Sequence, residues 1–168
     1  SLMRISTKPK NLEEIMINSK VKTKDGYEDI TAYSVGEVVL PDLPFVDCYR
    51  GKRRILSCAE YAVFDSETSH YGLECAWVYQ WAFLLGGVYV YGRTAAEFVN
   101  LLRYLKRKYK LSDVRTLIIY IHNASYDIQY LKHYLRLYDE NMKITATGSP
   151  AVLSVDMDGI RILCRLRL

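Results

Sequence analysis

Two carboxylates separated by one residue, Asp65 and Glu67, follow the mostly apolar residues 61–64 (YAVF). On an extended backbone, side chains two positions apart project to the same side, so these two charges would lie close together and repel. A divalent cation between them would offset that repulsion. The pair therefore indicates a metal site at the end of a strand. The alternative is a solvated acidic turn, because so short a motif often arises by chance.

A second group of polar residues follows another apolar stretch. Residues 116–121 (TLIIYI) are typical of a buried strand, and the hexapeptide HNASYD, from His122 to Asp127, comes directly after them. If the two strands are neighbours, Asp127 approaches Asp65 and Glu67, and three carboxylates can hold divalent cations. The alternative is an ordinary helix start, with Asn123 as cap and Asp127 favoured by the helix dipole.

The elements that must position these groups can be read from hydrophobic periodicity and turn residues. Thr94 followed by Glu97 is typical of a capping box at a helix start. The predicted elements are strands at 61–64, 75–85 and 88–91, a helix from Thr94 to about 109, a strand at 116–121, a helix at about 125–138, and strands at 143–147, 152–155 and 160–164. This order, β-β-β-α-β-α with a C-terminal β hairpin, predicts an α/β protein with the mixed sheet of a ribonuclease H-like fold.

Composition places few limits on function. The 168 residues carry a net charge of +4, which suits an anionic partner such as nucleic acid without establishing one. No apolar run is long enough to span a bilayer, and the first residues lack the apolar core of a signal peptide, so we expect a cytoplasmic protein. The four cysteines show neither CxxC pairing nor metal-site spacing and are expected to be free thiols.

The first third of the chain differs from the rest. We expect residues 1–57 to form a basic, partly disordered extension and residues 58–168 to form the ribonuclease H-like domain. Four cations lie within residues 50–54 (RGKRR). They are either part of a solvated linker or a patch that contacts phosphates.

The segments DSET, after one strand, and IHNASYD, after a later one, resemble two motifs of a known family. These are the Exo I (D-x-E) and Exo II (N-x-x-x-F/Y-D type) motifs of the 3′–5′ proofreading exonuclease domain of family B DNA polymerases. The forms D-x-E-T and HN-x-x-[FY]-D are most similar to the protein-primed subgroup found in phages and linear plasmids. The resemblance covers roughly residues 61–164.

The resemblance implies a role for each matching residue. Asp65, Glu67 and Asp127 would be the catalytic, metal-binding carboxylates. The residues at the positions that hold the 3′ end of single-stranded DNA are Thr68, His122, Asn123 and Tyr126. Two divalent ions, Mg²⁺ or Mn²⁺, would hydrolyse the terminal phosphodiester, with one activating a water and both stabilising charge on the phosphate. A terminal (priming) protein is a further expected partner, and the source would be a bacterial host, a phage or a mobile element.

One part of the family pattern is absent. The family has a fourth carboxylate in a Tyr-x-x-x-Asp motif (Exo III) after the last strand, and no such motif follows residues 160–164. We therefore expect a fragment of a DNA polymerase, with weak or no exonuclease activity and with one bound metal ion rather than two. The alternatives are a non-catalytic single-stranded nucleic-acid-binding module of the same fold, and a structural domain that binds neither metal nor DNA.

Overall fold

The computed structural model describes residues 20–23, 26–29, 40–69, 77–148 and 151–165. Within these ranges lie eleven strands and two helices. The strands are β1 (Lys20–Thr23), β2 (Gly26–Asp29), β3 (Phe45–Arg50), β4 (Arg53–Cys58), β5 (Ala62–Ser69), β6 (Trp77–Leu85), β7 (Val88–Gly92), β8 (Arg115–Ile121), β9 (Lys143–Thr147), β10 (Ala151–Met157) and β11 (Ile160–Cys164). The helices are α1 (Ala95–Tyr109) and α2 (Ala124–Tyr138).

Nine of these strands form one mixed sheet in the order β2-β1-β7-β6-β5-β8-β11-β10-β9. The central strands β5, β8 and β11 are parallel to one another. Their outer neighbours pair antiparallel on both sides. The prediction of an α/β protein with a mixed sheet is therefore confirmed, and so is the C-terminal hairpin, which β10 and β11 form.

Both helices pack on the same face of the sheet. Alternate residues of the central strands project to this face and form a fully buried apolar layer, because a side-chain period of two places them all on one side. Its members are Ala62 and Phe64 of β5, Leu117, Ile119 and Ile121 of β8, and Ile160, Ile162 and Cys164 of β11. The ring of Phe98 in α1 lies 4.2 Å from that of Phe64, and α2 adds Ile128, Leu131 and Leu135 to the same core.

Helix α1 begins as the sequence predicts. The Thr94 hydroxyl accepts a hydrogen bond from the backbone N–H of Glu97 at 3.2 Å, which satisfies one of the unpaired amides of the first turn. The Glu97 carboxylate accepts from the backbone N–H of Arg93 at 2.9 Å, one residue earlier than the capping-box pattern places it. The helix ends at Tyr109, followed by Lys110 in the left-handed region.

The predicted end of the first core strand, at residue 64, is wrong. Strand β5 continues to Ser69, because antiparallel pairing with β6 supplies ladder partners from Val63 through Ser69. Asp65 and Glu67 therefore lie within a strand and not in a turn after it. This placement fixes the direction of their side chains, since successive residues of a strand point to opposite faces.

The predicted N-terminal extension includes strands of the folded structure. Strands β1 and β2 lie at one edge of the sheet, where β1 pairs with β7. Strands β3 and β4 form a hairpin, and Leu56 and Ser57 of β4 pair in parallel with β8. The basic residues 50–54 form the turn of this hairpin, so the linker alternative is wrong for that segment. The prediction of partial disorder extends over residues 1–19, 24–25 and 30–39, which lie outside the described residues.

Two other predictions can be compared with the described part of the chain. Cys48, Cys58 and Cys164 are free thiols, and burial raises the pKa of the Cys58 thiol above its ordinary value. Neither described helix is long and apolar enough to cross a bilayer.

Candidate functional site

The candidate site lies where β5 extends beyond the end of β8. The two strands pair in parallel from Ala62 opposite Ile119 to Phe64 opposite Ile121, which is the last residue of β8. Asp65 and the residues after it therefore run past the turn at residues 122–123, from which α2 begins. The parallel register thus brings the two sequence motifs to the same edge of the sheet.

Strand alternation divides the first motif between two faces. Asp65 and Glu67 are exposed, whereas Ser66 between them is only 7% exposed. Ser66 projects to the face that carries α2, where its hydroxyl donates a hydrogen bond to Oδ1 of Asp127. Asp127 is 3% exposed, so the first turn of α2 contains a buried carboxylate.

The Asp127 carboxyl group has an altered acidity. Burial raises its pKa above the ordinary value of 3.8, because removal from water disfavours the charged form. The hydrogen bond from Ser66 opposes this rise, and the nearby negative charge of Asp65 adds to it. Asp65 is thus close enough for its charge to affect the Asp127 carboxyl group.

We expect Asp127→Asn to raise the free energy of unfolding by about 1 kcal/mol at neutral pH. Because the pKa of Asp127 is raised in the folded protein, the folded state retains this proton after the unfolded chain has released it. Wild-type stability therefore falls as pH rises from about 4 through the raised pKa. Asparagine does not ionise and still accepts a hydrogen bond at Oδ1, so the gain in stability should grow with pH.

Urea unfolding of both proteins between about pH 4 and pH 8 measures this difference. Asp42→Asn is the matched control, because the Asp42 side chain is fully exposed. A loss of stability in Asp127→Asn that deepens as pH rises would contradict the prediction. It would show that the folded protein favours the charged carboxylate.

A cluster of hydroxyl and aromatic groups lies beside the carboxylates. The Thr68 hydroxyl forms a hydrogen bond with the phenol of Tyr126, and Tyr126 packs edge-on against Tyr130 with the ring centroids 5.3 Å apart. Burial raises the pKa of Tyr130, and the neighbouring Tyr126 raises it further. The Tyr126 side chain remains 41% exposed. It can therefore offer an aromatic surface to a ligand while its hydroxyl is held by β5.

The structure brings together some of the predicted site residues and not others. Asp127 lies near Asp65, and Thr68 contacts Tyr126. Asn123 joins them only through its backbone carbonyl, which accepts from the N–H groups of Tyr126 and Asp127 at 2.9 and 3.3 Å. In the described part of the chain, no side-chain hydrogen bond or ion pair joins Glu67, His122 or Asn123 to these four. His122 and Asn123 are exposed in the turn before α2. Asn123 is the N-cap residue of α2, as the alternative predicts, but its side chain makes no capping hydrogen bond.

The described residues supply only part of the set of metal ligands that the family resemblance implies. Among them, no three His, Cys, Asp or Glu side chains are grouped closely enough to hold a metal ion. The physical reason is that α2 packs on the Ser66 face of β5, whereas Asp65 and Glu67 project to the opposite face. Asp65 lies close enough to affect the charge of Asp127, but two carboxylates are fewer than the three that the resemblance implies for the metal site.

Two residues of the site were missed from sequence. Ser66 supplies the direct contact with Asp127, and Tyr130 supports the Tyr126 ring. Alternation along a longer strand would have placed Ser66 on the side opposite Asp65. The spacing of four residues between Tyr126 and Tyr130 would have placed both rings on one face of a helix.

No protein-family model, curated protein or solved structure matches the chain. The function proposed below therefore depends on the motifs and the geometry of this chain alone.

Proposed function

We propose that this chain is a fragment of a protein-primed DNA polymerase, carrying a 3′–5′ exonuclease-type domain of ribonuclease H-like fold. We propose further that it holds the 3′ end of single-stranded DNA at the start of α2. The fold of the described residues supports the first part. The meander β5-β6-β7, then α1, β8 and α2, follows the element order expected of a ribonuclease H-like protein.

The observation that carries the proposal is the double contact between the two motifs. Ser66 of DSET hydrogen-bonds to Asp127 of HNASYD, and Thr68 of the first motif hydrogen-bonds to Tyr126 of the second. Residues far apart in sequence thus meet at one edge of the sheet, which is consistent with the two motifs forming a single site.

The chemistry of these groups suits a DNA end. The exposed ring of Tyr126 can stack on a base, which is a contact that tolerates any sequence. The exposed His122 and Asn123 can donate to sugar or phosphate oxygens, and the positive end of the helix dipole favours an anion there. The carboxylates of Asp65 and Asp127 repel phosphate. A divalent ion would offset this repulsion, so we propose one Mg²⁺ or Mn²⁺ ion as the cofactor, with the exposed Asp65 as a ligand.

We expect the wild-type protein to bind a short linear single strand more tightly than a circular strand of the same length, because only the linear strand has an end. Fluorescence anisotropy with an internally labelled strand, with and without Mn²⁺, measures this preference. Asp65→Asn should remove most of the gain from Mn²⁺, and Asp42→Asn, which changes an exposed carboxylate elsewhere, should not. Equal binding of linear and circular strands would contradict the proposal.

A second candidate is the non-catalytic single-strand-binding module. It is favoured by the absence, in the ranges that the structure describes, of a three-carboxylate group. It predicts salt-sensitive binding that does not change when Mn²⁺ is added. A 3′-labelled strand separates the candidates further. Stepwise shortening with Mn²⁺ that Asp65→Asn abolishes would exclude the non-catalytic module.

A further inference from the structure

A pocket of about 330 Å³ lies at the other end of the sheet, between the β3–β4 turn and the start of β11. Its charged lining consists of Arg50 and Arg53 from the hairpin, Arg161 from β11 and Asp113 from the loop before β8. Its volume is at the lower end of the range of small-molecule sites, roughly 300–1,000 Å³. Thr116 of β8 forms part of its wall, and Ile121, beside the candidate site, lies five positions further along the same strand, roughly 17 Å away.

Sheet register explains why the arginines meet. Ile160 and Ile162 face the helices, so Arg161 between them projects to the opposite face, next to Asp156 on the neighbouring strand. Strand β4 pairs with β8. Its hairpin turn lies near β10, because Arg50 at the start of the turn forms an ion pair with Asp156 of β10 at 2.6 Å. The hairpin therefore places its arginines over the Arg161 side of the sheet.

The pocket holds more guanidinium groups than carboxylates. Arg50 and Arg161 share one oxygen of Asp156, at 2.6 and 3.1 Å, and Arg53 pairs with Asp113 at 2.7 Å. Three cations thus face two anions. Within the part of the chain that the structure describes, Nε of Arg161 is shielded from solvent and makes no well-directed hydrogen bond. Each guanidinium carries five N–H donors, so donors remain for an added anion.

A ligand could readily displace Asp113 from its ion pair with Arg53. The Arg53 and Asp113 side chains are 58% and 70% exposed, and exposed pairs of this kind contribute little to stability. A phosphate offers oxygens at the spacing that a planar guanidinium binds in bidentate fashion, and such charge-assisted bonds are about twice as strong as neutral ones. Phosphate therefore matches this donor set better than a single-point anion does.

We propose that this arginine pocket binds a phosphate group, carried either by a nucleic-acid strand or by a free nucleotide. The proposal goes beyond the function proposed above and does not depend on it, because it concerns a separate site with different residues. The predicted phosphate patch at residues 50–54 would then be one wall of a pocket completed by Arg161.

Arginine Nε–Hε NMR signals of the full chain, titrated with inorganic pyrophosphate, test the proposal. We expect the Arg161 signal to shift, and we expect Arg161→Gln and Arg53→Gln each to weaken pyrophosphate binding about tenfold or more. Arg53→Gln removes only an exposed pair, so it stays informative if Arg161→Gln fails to fold. The matched control is Arg54→Gln, because Arg54 lies on the same hairpin and pairs with Asp47 away from the pocket lining.

The outcomes separate the possible sources and can overturn the proposal. Saturation by pyrophosphate, with no tighter binding of a short single strand, indicates a free nucleotide or phosphate. Tighter binding of the strand, with a steep salt dependence, indicates a nucleic-acid backbone. Tyr126→Ala should leave pyrophosphate binding unchanged, so failure at the DNA-end site remains distinguishable. The absence of pyrophosphate binding, or an equal loss in Arg54→Gln, overturns the proposal.

Discussion

Trp81→Ala is expected to lower the free energy of unfolding by about 3–5 kcal/mol, a large part of the stability of a domain of this size. Trp81 is 1% exposed, and its ring lies 6.2 Å from that of Phe64 and 5.5 Å from that of Phe98. Its indole N–H donates to the Thr94 carbonyl at 2.7 Å. Truncation would leave a cavity and remove a buried hydrogen bond at the start of α1.

The same residue holds the site strand in place. Trp81 of β6 lies opposite Ser66 of β5, so the aromatic cluster fixes the strand segment that presents the first motif. A Cβ atom added at Gly92 would come within 2.1 Å of the indole ring, which explains why this position on β7 suits glycine. The cluster thus links three strands to α1.

Urea unfolding compares Trp81→Ala with Trp81→Phe. The phenylalanine keeps most of the aromatic volume and loses the bond to the Thr94 carbonyl, which still accepts from the backbone N–H of Phe98. It should therefore cost about 0.5–1.5 kcal/mol, roughly the net contribution of one hydrogen bond. A loss below about 1 kcal/mol in Trp81→Ala would contradict the packing described here, because a collapsed or solvent-filled site would be needed to explain it.

The elements that the sequence predicts well are those set by local chemistry. The α1 start follows from the Thr94 hydroxyl and the Glu97 carboxylate, and its last turn before Tyr109 carries a cluster of cations that the helix dipole favours. The hairpin at Gly86-Gly87 follows from two glycines in the left-handed region. Each of these signals acts over a few residues and needs no knowledge of the rest of the chain.

The features that could not be predicted depend on pairing with distant residues. Aspartate and glutamate are uncommon in strands, so the local sequence favours an end to β5 before Asp65. Pairing with β6 overrides that preference as far as Ser69. The β3–β4 hairpin likewise owes its place to β8, and the ion pair of Arg50 with Asp156 spans more than a hundred residues of sequence.

In the candidate site, too, some features follow from the local sequence and others depend on distant residues. The motifs themselves indicate that Asp65 and Asp127 come close, and the charge of Asp65 adds to the rise in the pKa of Asp127 that burial causes. The face of β5 on which α2 packs is not encoded in either motif. It follows from the apolar layer beneath the helices, and it makes Ser66 rather than Glu67 the partner of Asp127.

Tyr126→Ala is expected to weaken binding of a short single strand by about 5- to 150-fold, equivalent to the 1–3 kcal/mol that one base stack contributes. The Tyr126 ring is held edge-on to Tyr130 and its hydroxyl by Thr68, so little side-chain entropy is lost when a base stacks on it. Anisotropy with a labelled single strand at fixed salt measures the change.

Two variants show whether stacking is the cause. Tyr126→Phe keeps the ring and loses the contact with Thr68, so it should retain most of the affinity if the ring binds the base. Tyr49→Ala removes a tyrosine that is 73% exposed and lies on the β3–β4 hairpin rather than on α2, so it should leave binding of the strand end unchanged. If Tyr49→Ala weakens binding as much as Tyr126→Ala does, the DNA contacts exposed aromatic rings generally. The start of α2 would then have no special role in holding the 3′ end.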